Sequence, residues 1–194
     1  MILLEEYMVG ITGQIFYGPR ASAIYQPGKG ILTYTTAEPE LKWYGLDGNL
    51  KSKVRINMAP EPVSRDDRQV IEQMLDKRLE TATEDRAIAM AKASRKYAEF
   101  PDIKSYWYSV RVDDKGYIWL SHHPDYSVEG VEIYRQPYRV LDPDGEYLGD
   151  TRLPERSFSI SQGHLLTSHQ DEETGESIFI VYRIIPAIDG LKYP

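Results

Sequence analysis

Two histidines stand at matching points of a repeated sequence and are the side chains best suited to chemistry. His122 follows a predicted strand over residues 117–121, and His169 is the last residue of a similar predicted strand over residues 165–169. Histidine changes its charge near neutral pH and binds metals through either ring nitrogen. Two histidines one repeat apart could therefore act as metal ligands, or as an acid and a base.

Aligning the repeats adds four residues to this pair. Thr36 falls at the same strand exit as the two histidines, while Arg20, Trp107 and Arg156 precede successive innermost strands. The tryptophan and the arginines could hold an anionic or carbonyl-bearing ligand in a central pocket. The alternative is that the histidines are strand-end residues bonded to neighbouring loops and that the arginines are solvated. The candidate ligand-binding residues are Arg20, Thr36, Trp107, His122, Arg156 and His169.

Other motifs that suggest catalysis have simpler explanations. His122, His123 and Asp125 resemble a metal cluster, but successive residues of a strand point to opposite faces. Residues 142–145, Asp-Pro-Asp-Gly, lack the spaced ligands and closing glutamate of a calcium loop and predict a hairpin turn. No Gly-x-Ser-x-Gly motif is present. We therefore assign no catalytic residue, no metal ligand and no cofactor.

Composition limits the partners. The chain has 194 residues, of which 23 are basic and 30 are acidic, for a net charge of −7. This balance argues against nucleic acid or an anionic membrane surface and favours a cationic or neutral partner, either a small molecule or a protein. Cysteine is absent, so no disulfides are expected. No apolar run predicts a membrane span, and the start of the chain lacks the pattern of a signal peptide, so no compartment is assigned.

Short strands joined by tight turns form the repeat that must position these residues. The first unit has predicted strands at 22–25, 30–36, 40–46 and 50–56, and the second at 108–112, 117–121, 137–141 and 147–151. The third has strands at 157–160, 165–169 and 177–184, and its fourth strand is expected to be missing because the chain ends at Pro194. Self-similarity of this kind is typical of propellers and solenoids. We expect an all-β fold and a single domain over residues 1–194.

A segment of different character interrupts the repeat at residues 58–104. Ser64 is a predicted helix N-cap, with Asp67 three residues later, and Val70, Ile71 and Leu75 recur on one helical face. A weaker, alanine-rich helix is predicted over residues 84–97. The segment is interpreted as a helical hairpin that packs on the sheets as a lid or spacer, with a partner-binding helix as the alternative.

Residues 113–119 and 138–149 together resemble the blade signature of NHL-type six-bladed β-propellers. The insertion after residues 55–62 is similar to that of a bacterial subgroup whose members are often exported, so the resemblance implies an exported parent protein. It implies a partial β-propeller of about three four-stranded antiparallel blades with an inserted helical segment, equivalent to the carboxyl-terminal part of the family's ring. It says little about function, because propellers host binding modules and enzymes alike.

Three blades cannot close a ring, which needs about four to eight. The first and last blades of an open set would have uncovered faces and unpaired strand edges. Such surfaces favour association, so we expect another part of the protein or another chain to cover them. Either the chain is half of a longer propeller, or two copies join head to tail as a homodimer. A third possibility is that residues 1–18 supply the missing strand of the last blade.

The connections between strands indicate where a site would lie. Turns after first and third strands are short, whereas connections after second and fourth strands include the helical insertion and the loop 123–136. Function tends to concentrate on such variable loops. A site is therefore expected on the face of the fold that carries the connections after second and fourth strands. We expect a non-enzymatic ligand-binding or protein-binding scaffold. The alternatives are a metal-assisted hydrolase or lyase that uses His122 and His169, and an inert truncation product.

Overall fold

The structure is a computed structural model that describes residues 15–128, 137–153, 157–170 and 174–185. Within these ranges the chain is mostly β, with three antiparallel sheets and two helices. Both helices lie between the first and second sheets in the sequence. The prediction of antiparallel sheets interrupted by a helical insertion is confirmed.

In each sheet the spatial order of the strands follows the chain order. The first sheet contains β1 (Ala21–Gln26), β2 (Gly30–Thr35), β3 (Glu40–Tyr44) and β4 (Leu50–Arg55). The second contains β5 (Ser109–Val112), β6 (Ile118–Ser121), β7 (Pro137–Leu141) and β8 (Tyr147–Arg152). The third has three strands among the described residues, β9 (Ser157–Ser161), β10 (His164–Gln170) and β11 (Ser177–Arg183).

Aspartate and glycine shape the tight turns of the second sheet. The Asp113 carboxylate accepts hydrogen bonds from the backbone N–H groups of Lys115 and Tyr117, both at 3.0 Å, and from the Trp119 indole N–H at 3.2 Å. Gly116 then adopts a φ of 88°, in the left-handed region that glycine enters without strain. The hairpin that the Asp/Gly pattern predicts is therefore present in the structure.

The hairpin register shifts one of the predicted repeat alignments by a residue. Gln26 pairs with Gly30 across a three-residue turn, and Asp113 bonds to Tyr117 across a turn of the same length. Gly30 therefore matches Tyr117, and Thr35 rather than Thr36 matches His122. Gly28, with a φ of 78°, lies in the first turn, as the sequence predicted.

Neighbouring sheets pack face to face through two apolar cores. The first core joins the first and second sheets and contains Leu32, Leu41, Trp43, Val54, Val110, Ile118 and Leu120. The second core joins the second and third sheets and contains Trp119, Tyr138, Val140, Ile160 and Leu165. All four residues of β6 are buried, because this strand lies in the sheet that has a neighbour on both sides.

The same relation between sheets occurs twice. In the corrected register Leu32 of the first sheet matches Trp119 of the second, and each side chain faces the following sheet. Ile118 of the second sheet matches Leu165 of the third, and each faces the preceding sheet. The first and second sheets therefore present matching faces to the sheet that follows, and the second and third sheets contact the preceding sheet through their other face.

The insertion forms helices α1 (Arg65–Thr81) and α2 (Asp85–Lys96). Ser64 and Asp67 form a reciprocal capping box at the start of α1, as the sequence predicted. Ile71 and Leu75 are fully buried in a third apolar cluster with Phe16. No helix in the described ranges is long and apolar enough to span a membrane.

The segment before β1 does not join the third sheet in its described part. Ile15 forms a parallel bridge with Glu99, and the Phe16 N–H donates to the Glu99 carbonyl at 3.0 Å. The idea that residues 1–18 complete the last sheet is therefore wrong for residues 15–18, since the buried Phe16 ties them to the helical insertion. Residues 1–14 lie outside the described ranges.

Candidate functional site

A cleft of about 370 Å³ opens between the start of α1 and the loop that follows β6. Its polar lining comes from the N-terminal segment, the two ends of the helical insertion and the loop over residues 122–127. Carboxylates outnumber amines there. The ionisable and aromatic residues of the lining are Tyr17, Glu61, Asp66, Asp67, Lys104, His122, His123, Asp125 and Tyr126.

Lys104 is held by two of the carboxylates. Its ammonium lies 2.6 Å from Glu61 Oε1 and 3.0 Å from Asp67 Oδ1, and it sits 4.9 Å from the centroid of the Tyr17 ring. Burial alone would lower the pKa of Lys104, but the hydrogen bonds to Glu61 and Asp67 outweigh it and raise the pKa. The lysine is therefore a fixed cation whose charge is already compensated.

Tyr17 forms one wall of the cleft in a strained conformation. Its φ of 58° is unusual for a residue that is not glycine. The conformation is held because the Ser105 N–H donates to the Tyr17 carbonyl at 2.9 Å and the phenol lies 3.4 Å from Asp67 Oδ1. Burial, followed by the charge of Asp67, raises the pKa of Tyr17 far above its ordinary value. The phenol therefore remains a hydrogen-bond donor at any physiological pH.

His123 turns inward beside Tyr17. Its Nε2 lies 2.6 Å from the Ser105 carbonyl oxygen, which assigns the proton to Nε2, and its ring meets the Tyr17 ring edge-on with centroids 5.1 Å apart. Burial is the largest cause of a lowered pKa, and the positive charges of Lys104 and Arg20 add to it. The imidazole is therefore neutral at pH 7.

The same contact argues against serine catalysis by Ser105 and His123. Ser105 Oγ lies 3.3 Å from His123 Nε2, but that nitrogen already donates to the Ser105 carbonyl and has no lone pair to accept the hydroxyl proton. Ser105 is also buried, with 6% of its surface exposed. The arrangement fixes the ring in place and does not activate a nucleophile.

The predicted site residues fall into different environments. His122 lines the cleft. Thr36 is fully buried and accepts a 2.8 Å hydrogen bond from the Arg20 N–H, while the Arg20 guanidinium stacks 4.0 Å from the Tyr108 ring centroid. Trp107 is 1% exposed and belongs to the core between the first two sheets.

The remaining two candidates cannot be placed in a site. Arg156 and the side chain of His169 lie outside the described part of the chain. A central pocket shared by all six residues therefore stays a prediction. Among the residues that the structure describes, no group of three or more histidine, aspartate or glutamate side chains could hold a metal ion.

Sequence reasoning missed several residues of the cleft. Asp67 was recognised only as the partner of the Ser64 cap, although its second oxygen reaches Lys104. Tyr17 and Lys104 are distant in the sequence, and neither belongs to a motif. His123 was discounted because adjacent strand residues point to opposite faces. The strand β6 ends at Ser121, however, so both histidines follow it and both line the cleft, with His123 the more buried of the two.

Comparisons of the chain with family models, with curated proteins and with solved structures give no match.

Proposed function

We propose that the chain is a non-enzymatic binding module, a partial β-propeller whose cleft receives a cationic group. The group would be an amine or guanidinium, carried by a small molecule or by a protein side chain. The observation that carries the proposal is the cleft beside α1, in which carboxylates and neutral aromatic side chains surround a single lysine that is already paired.

The sheet packing supports a propeller architecture. In a propeller each blade covers the next in the same way, with its strands in chain order. The three sheets have this strand order, and both pairs of neighbours repeat one face-to-face relation. The resemblance of residues 113–119 and 138–149 to NHL-type blades agrees with this arrangement.

The position of the cleft supports a binding role. Its residues come from the segment before β1, from the connection between β4 and β5, and from the connection after β6. The two connections are among the long ones, whereas the hairpin turns after first and third strands do not contribute. Variable connections carried by a rigid scaffold are where binding sites concentrate.

The charges in the cleft favour a cation over an anion. Glu61 and Asp67 are occupied by Lys104, which leaves Asp66 and Asp125 as carboxylates without a cationic partner in the described ranges. The neutral His123 adds no positive charge. The Tyr126 ring lines the same cleft, and an aromatic face beside a carboxylate suits an ammonium group.

Cadaverine, pentanediol and glutarate provide a matched set of probes, because they share a five-carbon chain and differ in charge. We expect cadaverine to shift the NMR signals of the cleft residues saturably, and we expect the effect to weaken with added salt. The Asp66→Asn, Asp125→Asn double variant should abolish the shifts. Glu80→Gln removes one negative charge from α1 about 21 Å along the helix from Asp66 and should leave binding unchanged.

The proposal fails if glutarate or pentanediol produces shifts equal to those of cadaverine. It also fails if the Glu80→Gln variant loses as much binding as the double variant, since the response would then report only the net charge of the chain.

A further inference from the structure

The two outermost faces of the stack of sheets are matched to each other. On the third sheet, the face turned away from the second sheet carries Leu166, Phe179 and Val181; we call it the trailing face. On the first sheet, the face turned away from the second sheet carries Ala23, Thr33 and Tyr44; we call it the leading face. Both faces are without a neighbouring sheet in the described part of the chain.

The trailing face repeats a surface that is buried elsewhere in the chain. Val181 pairs with Leu166 as Val140 pairs with Trp119, so the two valines occupy matching positions. Val140 is fully buried by the third sheet, whereas Val181 is 63% exposed and Phe179 is 64% exposed. An edge strand with such apolar side chains on its outer face is suited to a partner sheet.

The leading face has the complementary shape. Ala23 and Thr33 occupy the positions that Val110 and Leu120 fill in the second sheet, so smaller side chains stand where larger ones would pack. A groove of about 480 Å³ runs along this face. Ala21, Ala23 and Thr33 line one part of it, and the ion-paired side chains Glu38, Glu40 and Lys42 line another. The small side chains of Ala23 and Thr33 leave room there for the large apolar side chains of a trailing face, beside the neutralised charges of the ion pairs.

We propose that the trailing face of one copy docks on the leading face of a second copy, and that two copies close a ring of six sheets. The contact would continue the relation already made twice within the chain, in which each sheet covers the next. A second copy is the occupant that fits best because it offers a leading face to one end and a trailing face to the other, so both exposed faces are covered at once. Such a contact is heterologous, and it yields a closed assembly only when its rotation closes.

Light scattering over a range of concentrations gives the first test. The expected mass is twice 22.3 kDa, falling to 22.3 kDa on dilution. Phe179→Arg on the trailing face and Ala23→Arg on the leading face should each give a monomer. Both side chains are exposed, so the fold should survive, and circular dichroism checks this. Leu46→Arg replaces an apolar residue that is 76% exposed in the turn after β3, and this control should remain dimeric.

Mixing the two monomeric variants tests the head-to-tail geometry. The Phe179→Arg variant keeps its leading face and the Ala23→Arg variant keeps its trailing face, so together they form one intact contact. A heterodimer of twice the monomer mass should appear only in the mixture.

Several outcomes overturn the proposal. They are a wild-type monomer at all concentrations, a mass that grows without limit, a dimer that survives either variant, and a mixture that stays monomeric. Cadaverine binding by the monomeric variants is measured separately, so failure of the dimer leaves the proposed function standing, and the reverse also holds.

Discussion

Phe179 in the third sheet occupies the position that Tyr138 occupies in the second sheet. Phe179 pairs with Ser168 of the neighbouring strand, and Tyr138 pairs with Ser121, the residue that matches Ser168 in the repeat. Tyr138 is 6% exposed because the third sheet covers it, whereas Phe179 is 64% exposed. The outer face of the third sheet therefore carries the side-chain pattern that is buried in the second sheet.

This equivalence predicts different costs for the same mutation at two valines. Val140→Ala should lower the free energy of unfolding by about 1.5–3 kcal/mol, since the removed methyl groups are fully buried. Val181→Ala should change it by less than about 0.5 kcal/mol when measured in dilute solution, because Val181 is largely exposed there. Urea unfolding of both variants at low protein concentration makes the comparison. Equal losses would mean that other parts of the chain cover Val181.

The Lys104 cluster predicts a loss of stability when the lysine is removed. Lys104→Met keeps the length of the side chain but leaves the Asp67 carboxylate, which is only 19% exposed, without its cation. We expect a loss of about 1.5–3 kcal/mol, the usual range for a hydrogen bond to a charged group. Lys53→Met is the control, because its partner lies at 3.4 Å and the Lys53 side chain is 51% exposed, so stability should barely change.

Acid unfolding of the same variant tests the cause. Hydrogen bonds to Ser64 and Lys104 outweigh burial and lower the pKa of Asp67. A lowered pKa contributes stability that is present above the unfolded-state pKa of about 3.9 and is lost as the pH falls through the folded-state pKa. Lys104→Met should therefore lose less stability than the wild type below about pH 4. An unchanged acid dependence would show that Lys104 does not influence Asp67.

The two helices predict unequal effects of capping mutations. Ser64→Ala should cost about 1 kcal/mol, because Ser64 accepts a 3.0 Å hydrogen bond from the Asp67 N–H at the start of α1. Glu84→Ala provides the matched control, since Glu84 stands at the same point of α2 without a side-chain capping bond. Thermal unfolding followed by circular dichroism measures both. A larger loss for Glu84→Ala than for Ser64→Ala would contradict the capping box.

Most of the fold could be predicted from local signals in the sequence. The Asp/Gly turns fix the hairpins, alternation fixes the faces of the strands, and Ser64 with Asp67 marks the helix start. The equivalence of Thr36 with His122 was one residue off, because Gly30 can be aligned either with Gly116 or with Tyr117. The pairing of Gln26 with Gly30 gives the alignment with Tyr117.

The candidate site was far less predictable than the fold. Repeat alignment identified strand ends and hence His122, but it could not reach residues outside the repeat. Tyr17 and Lys104 meet Asp67 through contacts 50 and 37 positions apart in the sequence, and no local pattern encodes them. Trp107, a candidate ligand-binding residue at a strand entrance, is buried in the core between the first two sheets.

His123 predicts how stability depends on pH near neutrality. Its ring packs against Tyr17 and Tyr108, and burial with the charges of Lys104 and Arg20 lowers its pKa below the ordinary value of about 6.5. A histidine with a lowered pKa contributes stability that is complete above pH 6.5 and declines as the pH falls toward the folded-state value. One such group changes the free energy of unfolding by at most about 1.4 kcal/mol per pH unit.

A titration of the His123 ring signals by NMR measures this pKa directly, with the urea-unfolded chain as the reference. The folded value should lie below the unfolded one. His123→Gln keeps a hydrogen-bond donor for the Ser105 carbonyl but cannot titrate, so it should flatten part of the decline in stability below pH 6.5. A folded pKa above the unfolded value would instead mean that the fold stabilises the imidazolium. The assignment of a neutral His123 in the cleft would then be wrong.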